Sequence, residues 1–145
     1  MTRTARVLLV EDNPGDVVLT REALRTAEID CELTAVGDGE AAIAFLRREG
    51  SYDGAARPDL VLSDLNLPKR DGREVLEEIR RDPDLRAIPV VMLTTSSSAV
   101  DVASCYARGA NSYVVKPRDL DGFTDVIHAI NRFWLGVARL PDGIR

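Results

Sequence analysis

Five short apolar segments, separated by stretches of helical period, limit this chain to few architectures. Residues 7–10, 60–62, 90–93 and 113–115 are continuous apolar runs, and 33–36 is a weaker, more alternating one. Runs this short and continuous fit strands buried on both faces, as in a parallel sheet. Between them, residues 16–27, 39–48, 73–80, 100–108 and 120–137 carry apolar side chains at helical spacing. The last stretch is the clearest: Leu120, Phe123, Val126, Ile127, Ile130, Phe133, Trp134 and Val137 recur in steps of three and four. Strand and helix alternate five times. That predicts an α/β domain with right-handed crossovers and helices on both faces of a parallel sheet.

The 145 residues suit one domain with one core. A composition 45% hydrophobic and 30% charged is that of a globular chain rather than a disordered one. No apolar stretch is long enough to span a membrane. The two arginines near the N-terminus are followed by no long apolar region, which argues against a secretory signal. A net charge of -5 disfavours binding to nucleic-acid phosphates. Cys31 and Cys105 form no metal motif, and are read as reduced, partly buried thiols of a cytoplasmic protein. The single histidine, His128, is read as structural, so a zinc site or a histidine-based triad has little to rest on. The loop 49–58 should be exposed, and the tail from residue 138 should leave the last helix.

In open parallel sheets, functional groups gather beyond the carboxyl ends of the strands. Here Glu11 and Asp12 follow the first run, and Asp64 follows the third in SDLNLPKRDG. Thr94 and Thr95 follow the fourth, and Lys116 the fifth. An adjacent acidic pair alone is more often a solvated strand end than a metal site. Asp64 alone could be a turn residue, because Pro68, Asp71 and Gly72 lie downstream. Asp16 suits ordinary helix-start chemistry, and residues 96–98 suit a loop that caps the fourth helix. Four separate strands that each end on a polar group are more telling than any one of these features.

With Glu11-Asp12, Asp64, Pro68 and Gly72, Thr94, Tyr113 and Lys116-Pro117 in this order, the chain resembles the receiver domains of two-component response regulators. The separations, 30 residues from Asp64 to Thr94 and 22 from Thr94 to Lys116, match that family's pattern. EDNPGD, LTTS, ANSYVVKP and the segment RFWLGVARLP further resemble the single-domain subgroup that serves phytochrome-type histidine kinases. The resemblance implies a flavodoxin-like (βα)5 sandwich with a five-stranded sheet of order 2-1-3-4-5. It places the receiver domain over residues 1–137 and leaves 138–145 as a tail too short to form an output domain.

It also implies roles. Asp64 is the phosphoacceptor, attacking a phosphohistidine of a sensor kinase. Mg²⁺ is held by Asp12, Asp64 and the backbone carbonyl of Asn66, with Glu11 acting directly or through a metal-bound water. Lys116 pairs with the phosphoryl oxygens, and Thr94 donates a hydroxyl hydrogen bond to them. Tyr113 takes up the space that Thr94 vacates, and the surface of helix 4, strand 5 and helix 5 changes. The Lys116-Pro117 peptide is expected to be cis. Phe133, Trp134 and Leu135 cannot all face one core, so a homodimer through helix 4, strand 5, helix 5 and the tail is expected.

The resemblance describes a signalling phosphoacceptor with weak self-catalysed phosphotransfer and dephosphorylation, not an enzyme with turnover. A phosphatase of the haloacid dehalogenase type would carry a second aspartate two residues after the nucleophile, where this chain has Asn66. An unphosphorylated adaptor would commonly have lost the aspartate or the lysine, and both are present.

Overall fold

The computed structural model describes residues 3–141. Five strands, β1 (Ala5–Val10), β2 (Cys31–Val36), β3 (Leu60–Ser63), β4 (Val90–Thr94) and β5 (Ser112–Val115), form one sheet. All pairs are parallel and the order is β2-β1-β3-β4-β5, the flavodoxin-like arrangement. The helices are α1 (Pro14–Arg25), α2 (Gly39–Arg47), α3 (Gly72–Arg81), α4 (Ala99–Ala107) and α5 (Leu120–Ile130).

Alternation along β1 builds a core on each face of the sheet. Leu8 and Val10 point to the layer made with Phe45, Leu76 and Ile79 of α2 and α3. Val7 and Leu9 point to the layer made with Leu24, Phe123 and Ile127 of α1 and α5. Each such fully buried side chain contributes about 1.5–3 kcal/mol relative to exposure. Burial on both faces holds for β1, β3 and β4 but not for the edges. Val115 of β5 is exposed, and β2 alternates half-buried with exposed residues, because an edge strand is covered by fewer helices.

Local chemistry sets the helix ends. Asn13 caps α1 by accepting from the Asp16 N–H, and Pro14 follows at the first helical position, so this helix starts two residues earlier than the apolar spacing alone implies. Asp71 and Glu74 make a reciprocal capping box on α3. Ser98 caps α4, as the serine run implies. Gly72 has a distinct duty: a Cβ there would sit 2.2 Å from the Asp64 carbonyl oxygen. Only glycine lets the start of α3 lie against Asp64, the residue that follows β3.

Three expectations need correction. The last helix does not run with one period to Val137; it widens to π-helical geometry over Asn131–Val137, where the Ala138 N–H reaches the Phe133 carbonyl at 2.7 Å. The shift turns Leu135 inward, leaves Trp134 half-buried and leaves Phe133 exposed. Asn131 is buried where this begins, donating to the Ile29 carbonyl at 2.8 Å and accepting from its N–H at 3.1 Å. Second, the 49–58 loop is only partly exposed: Tyr52 packs edge-on against Phe45, with ring centres 5.4 Å apart. Third, the Lys116-Pro117 peptide is trans, because no cis bond occurs among the described residues. Trans is the intrinsically favoured isomer, and with it Lys116 still reaches the acids. The tail does leave the helix at Ala138, and Leu140 folds back into the core. Residues 142–145 of the tail lie outside the described part.

Candidate phosphoryl and metal site

The site forms where the strand order reverses, between β1 and β3. Backbone bonds pin both strand ends: the Glu11 N–H donates to the Val36 carbonyl at 3.0 Å, and the Asp64 N–H to the Val10 carbonyl at 2.9 Å. Glu11, Asp12 and Asp64 thereby converge, with one carboxylate oxygen from each within 4.8 Å of the others. Glu11 is buried, Asp64 half-buried and Asp12 exposed, so the group opens to solvent on the Asp12 side. An all-oxygen donor set of this kind suits a hard divalent cation. Asn66 lies two residues past Asp64, exposed, in the bend that follows β3.

Lys116 closes the site from β5. Its N–H donates to the Thr94 carbonyl at 2.7 Å, which ties the two strand ends together. Its ammonium lies 2.5 Å from Glu11 Oε1, 2.9 Å from Asp16 Oδ2 and 3.1 Å from Asp64 Oδ2. Asp64 Oδ1 accepts from the Leu65 N–H at 2.6 Å, and Glu11 Oε2 from the Asn13 N–H at 3.1 Å. Burial pulls the Lys116 ammonium down. Hydrogen bonds to Glu11 and Asp16, with the charges of Asp64 and Glu11, outweigh that and hold it above its ordinary value. Burial pushes Glu11 up to about 7, a lift that the Lys116 and Asn13 hydrogen bonds oppose and the Asp64 charge reinforces. Three carboxylates thus share one ammonium with a fourth, Asp12, beside them, and a dication fits the remaining charge.

Thr94 is fully buried at the end of β4, and its hydroxyl oxygen accepts from the Ser96 N–H at 3.3 Å. Tyr113 is half-buried against the α3–α4 layer and donates its hydroxyl to the Ser96 carbonyl at 2.9 Å. The Thr94 and Tyr113 side chains are therefore both joined to the loop that enters α4. Ser96 also donates to Asp101 at 2.6 Å, and Asp101 pairs with Arg73 of α3. Thr95 is exposed just beyond β4.

The structure brings Glu11, Asp12, Asp64 and Lys116 into one site, with Thr94 at the adjoining strand end. Sequence reasoning missed Asp16 as a partner of Lys116. Its helix-start position is as read, but its carboxylate turns back to a lysine 100 residues away. The only trace of this in the sequence is its place one helical turn after the acidic pair. His128 is structural, its Nε2 within 3.0 Å of the Thr26 hydroxyl and of the Ala23 carbonyl. Cys31 and Cys105 are free thiols, both raised by burial.

This switch-point arrangement is that of a two-component signalling receiver. Residues 7–128 match the response regulator receiver domain, and the chain belongs to that family. It is 49% identical over 135 residues to the response regulator Rcp1 of Synechocystis sp., covering 93% of this chain and 92% of that protein. It is 42% identical over 136 residues to a probable methanogenesis regulatory protein, FilR2, of Methanothrix harundinacea, covering 93% and 86%. Among solved structures it is similar to the phosphorylated cyanobacterial phytochrome response regulator RcpA, with TM-score 0.92, 46% identity and coverage of 96% and 99%. It also superposes on the Mn²⁺-bound form of Rcp1, with TM-score 0.90, 48% identity and coverage of 94% and 99%.

Proposed function

We propose that Asp64 accepts a phosphoryl group from a phosphohistidine of a sensor histidine kinase of the phytochrome type. The observation that carries this is the Lys116 ammonium, held between Asp64 and Glu11 beside a three-carboxylate cation site. A carboxylate oxygen of Asp64 forms a bond to phosphorus as the bond from phosphorus to the imidazole nitrogen breaks, and the electron pair leaves with the imidazole. Attack by an anion on an anionic group is the difficulty. Asp12, Asp64 and the Asn66 carbonyl, with Glu11 directly or through a metal-bound water, would hold Mg²⁺, which would supply the charge that offsets the repulsion. Lys116 supplies a second positive charge to the phosphoryl oxygens, and Thr94 donates its hydroxyl to them. The chain positions these groups and balances their charge; slow phosphotransfer and dephosphorylation follow from the same geometry, without a turnover site.

Movement of Thr94 toward a modified Asp64 pulls on Ser96 and hence on the Tyr113 hydroxyl, which rests on the Ser96 carbonyl. The face of α4, β5 and α5 is thereby coupled to the site. That side of the chain and the following turns leave Val100, Tyr106, Val115, Leu120, Phe133 and Val137 exposed. This supports a homodimer through α4, β5, α5 and the tail, and the proposed reading keeps the protein in the cytoplasm with no nucleic-acid partner. No helix among the described residues is long and apolar enough to cross a membrane. Residues 1–137 act as the receiver and 138–145 as its tail.

The test is phosphotransfer from a purified phytochrome-type kinase to the wild type and to Asp64→Asn. Labelling of the wild type alone is expected; equal labelling of both would refute the assignment. Light scattering with and without phosphodonor tests the dimer, which a monomer at high concentration contradicts.

A further inference from the structure

We propose that Asp16 is a positioning residue for Lys116. It anchors the ammonium outside the metal cluster and so sets how readily a divalent cation enters. The inference rests on the function proposed above and adds a part to it.

An ammonium has three N–H donors, and Lys116 meets three carboxylates. Two of them, Glu11 and Asp64, also belong to the cation cluster; Asp16 does not. The ammonium and an incoming dication therefore compete for oxygens of Glu11 and Asp64. Asp16 stands outside that competition. When a cation draws on the other two carboxylates, Lys116 keeps an anionic partner only through Asp16. Without it, displacing the ammonium would strand a buried positive charge, since the Lys116 side chain is 4% exposed.

The local structure explains how a helix-start residue can do this. Asp16 is at the third position of α1, where its backbone N–H is taken by the Asn13 cap. Side chains in a helix tilt toward its N-terminus, which aims Asp16 back over the strand end that carries Glu11 and Asp12. The capping bond uses the backbone of Asp16, so it survives a change of side chain.

The test is Mn²⁺ binding to the full chain, read by electron paramagnetic resonance, in a double-mutant cycle of Asp16→Asn and Lys116→Met. Asp16→Asn should weaken Mn²⁺ binding on the order of tenfold, as for loss of one charge-assisted hydrogen bond. Asp16→Glu, which keeps the charge, should recover most of the loss. In the Lys116→Met background, Asp16→Asn should change affinity less than about twofold, because no ammonium remains to be held. A shift in melting temperature with unchanged Mn²⁺ affinity would mean that Asp16 serves only the helix and would overturn the proposal. An equal loss in both backgrounds would also overturn it, since Asp16 would then act on the cation through space. Asp16→Ser provides the same comparison if circular dichroism finds Asp16→Asn unfolded. Failure of the wild type to bind Mn²⁺ would instead strike the metal-dependent function itself.

Discussion

Strand β3 has an aspartate just outside each end, and the two have opposite surroundings. Asp59, at the amino end, is buried and fully matched. Arg3 grips it through two nitrogens at 2.7 and 2.6 Å, and the Arg6 N–H adds a third bond at 2.8 Å. Asp64, at the carboxyl end, shares a single lysine with Glu11 and Asp16 and has Asp12 beside it. One carboxylate meets one guanidinium at the first end; three meet one ammonium at the second, with Asp12 beside them. Residue type and strand are the same, so charge balance separates the structural aspartate from the one proposed to accept the phosphoryl group. An acid already satisfied has no capacity for a cation or a phosphoryl group. An acid left in negative surplus binds what neutralises it.

The largest expected effect follows from exchanging amide for acid at each end. Asp64→Asn should abolish phosphoryl labelling and keep the circular dichroism of the fold. Asp59→Asn should leave labelling in place and cost about 1–3 kcal/mol in urea denaturation, the worth of a buried charged hydrogen-bond partner. Labelling that survives at residue 64 and fails at residue 59 would invert the comparison. Next is Lys116→Met, which should slow labelling by roughly 10²-fold or more through loss of charge stabilisation, measured as an initial rate.

A third prediction concerns packing. Gly72→Ala should cost about 1–3 kcal/mol, because the new methyl group meets the Asp64 carbonyl and forces α3 outward. Denaturation should register that cost together with slower labelling. Gly37 has nothing within 4 Å of such a methyl, and Gly37→Ala should register neither.

The smallest effect is that of pH. Glu11 in the metal-free fold lies at about 7 against an ordinary 4.5, so between these values the folded state holds a proton that the unfolded chain has lost. Its contribution to stability is therefore present below pH 4.5 and lost as pH climbs to about 7. Urea denaturation in chelator across that window should follow this slope, and cation affinity should rise over the same window as the proton leaves.

The strands and the principal acids were legible because they depend on short patterns. Apolar runs mark β1, β3 and β4, and a polar residue where each run stops marks the side on which chemistry collects. The edges were less legible, since a run such as Tyr113, Val114 and Val115 does not reveal that β5 lacks a neighbour on one side. The π-helical turn was hidden for a related reason. Its apolar residues read equally well at ordinary helical period, and only the folded chain turns Leu135 in and Phe133 out. Asp16 was seen as a helix-start residue, which it is. Its second partner is 100 residues distant, and no local spacing encodes a contact across the sheet.

Mass spectrometry of the chain after incubation with acetyl phosphate, Mg²⁺ present or chelated, tests the central claim most directly. The account predicts one phosphoryl adduct, on the peptide that carries Asp64, formed with Mg²⁺ and absent with chelator. An adduct on another residue, or equal modification without the cation, would contradict it.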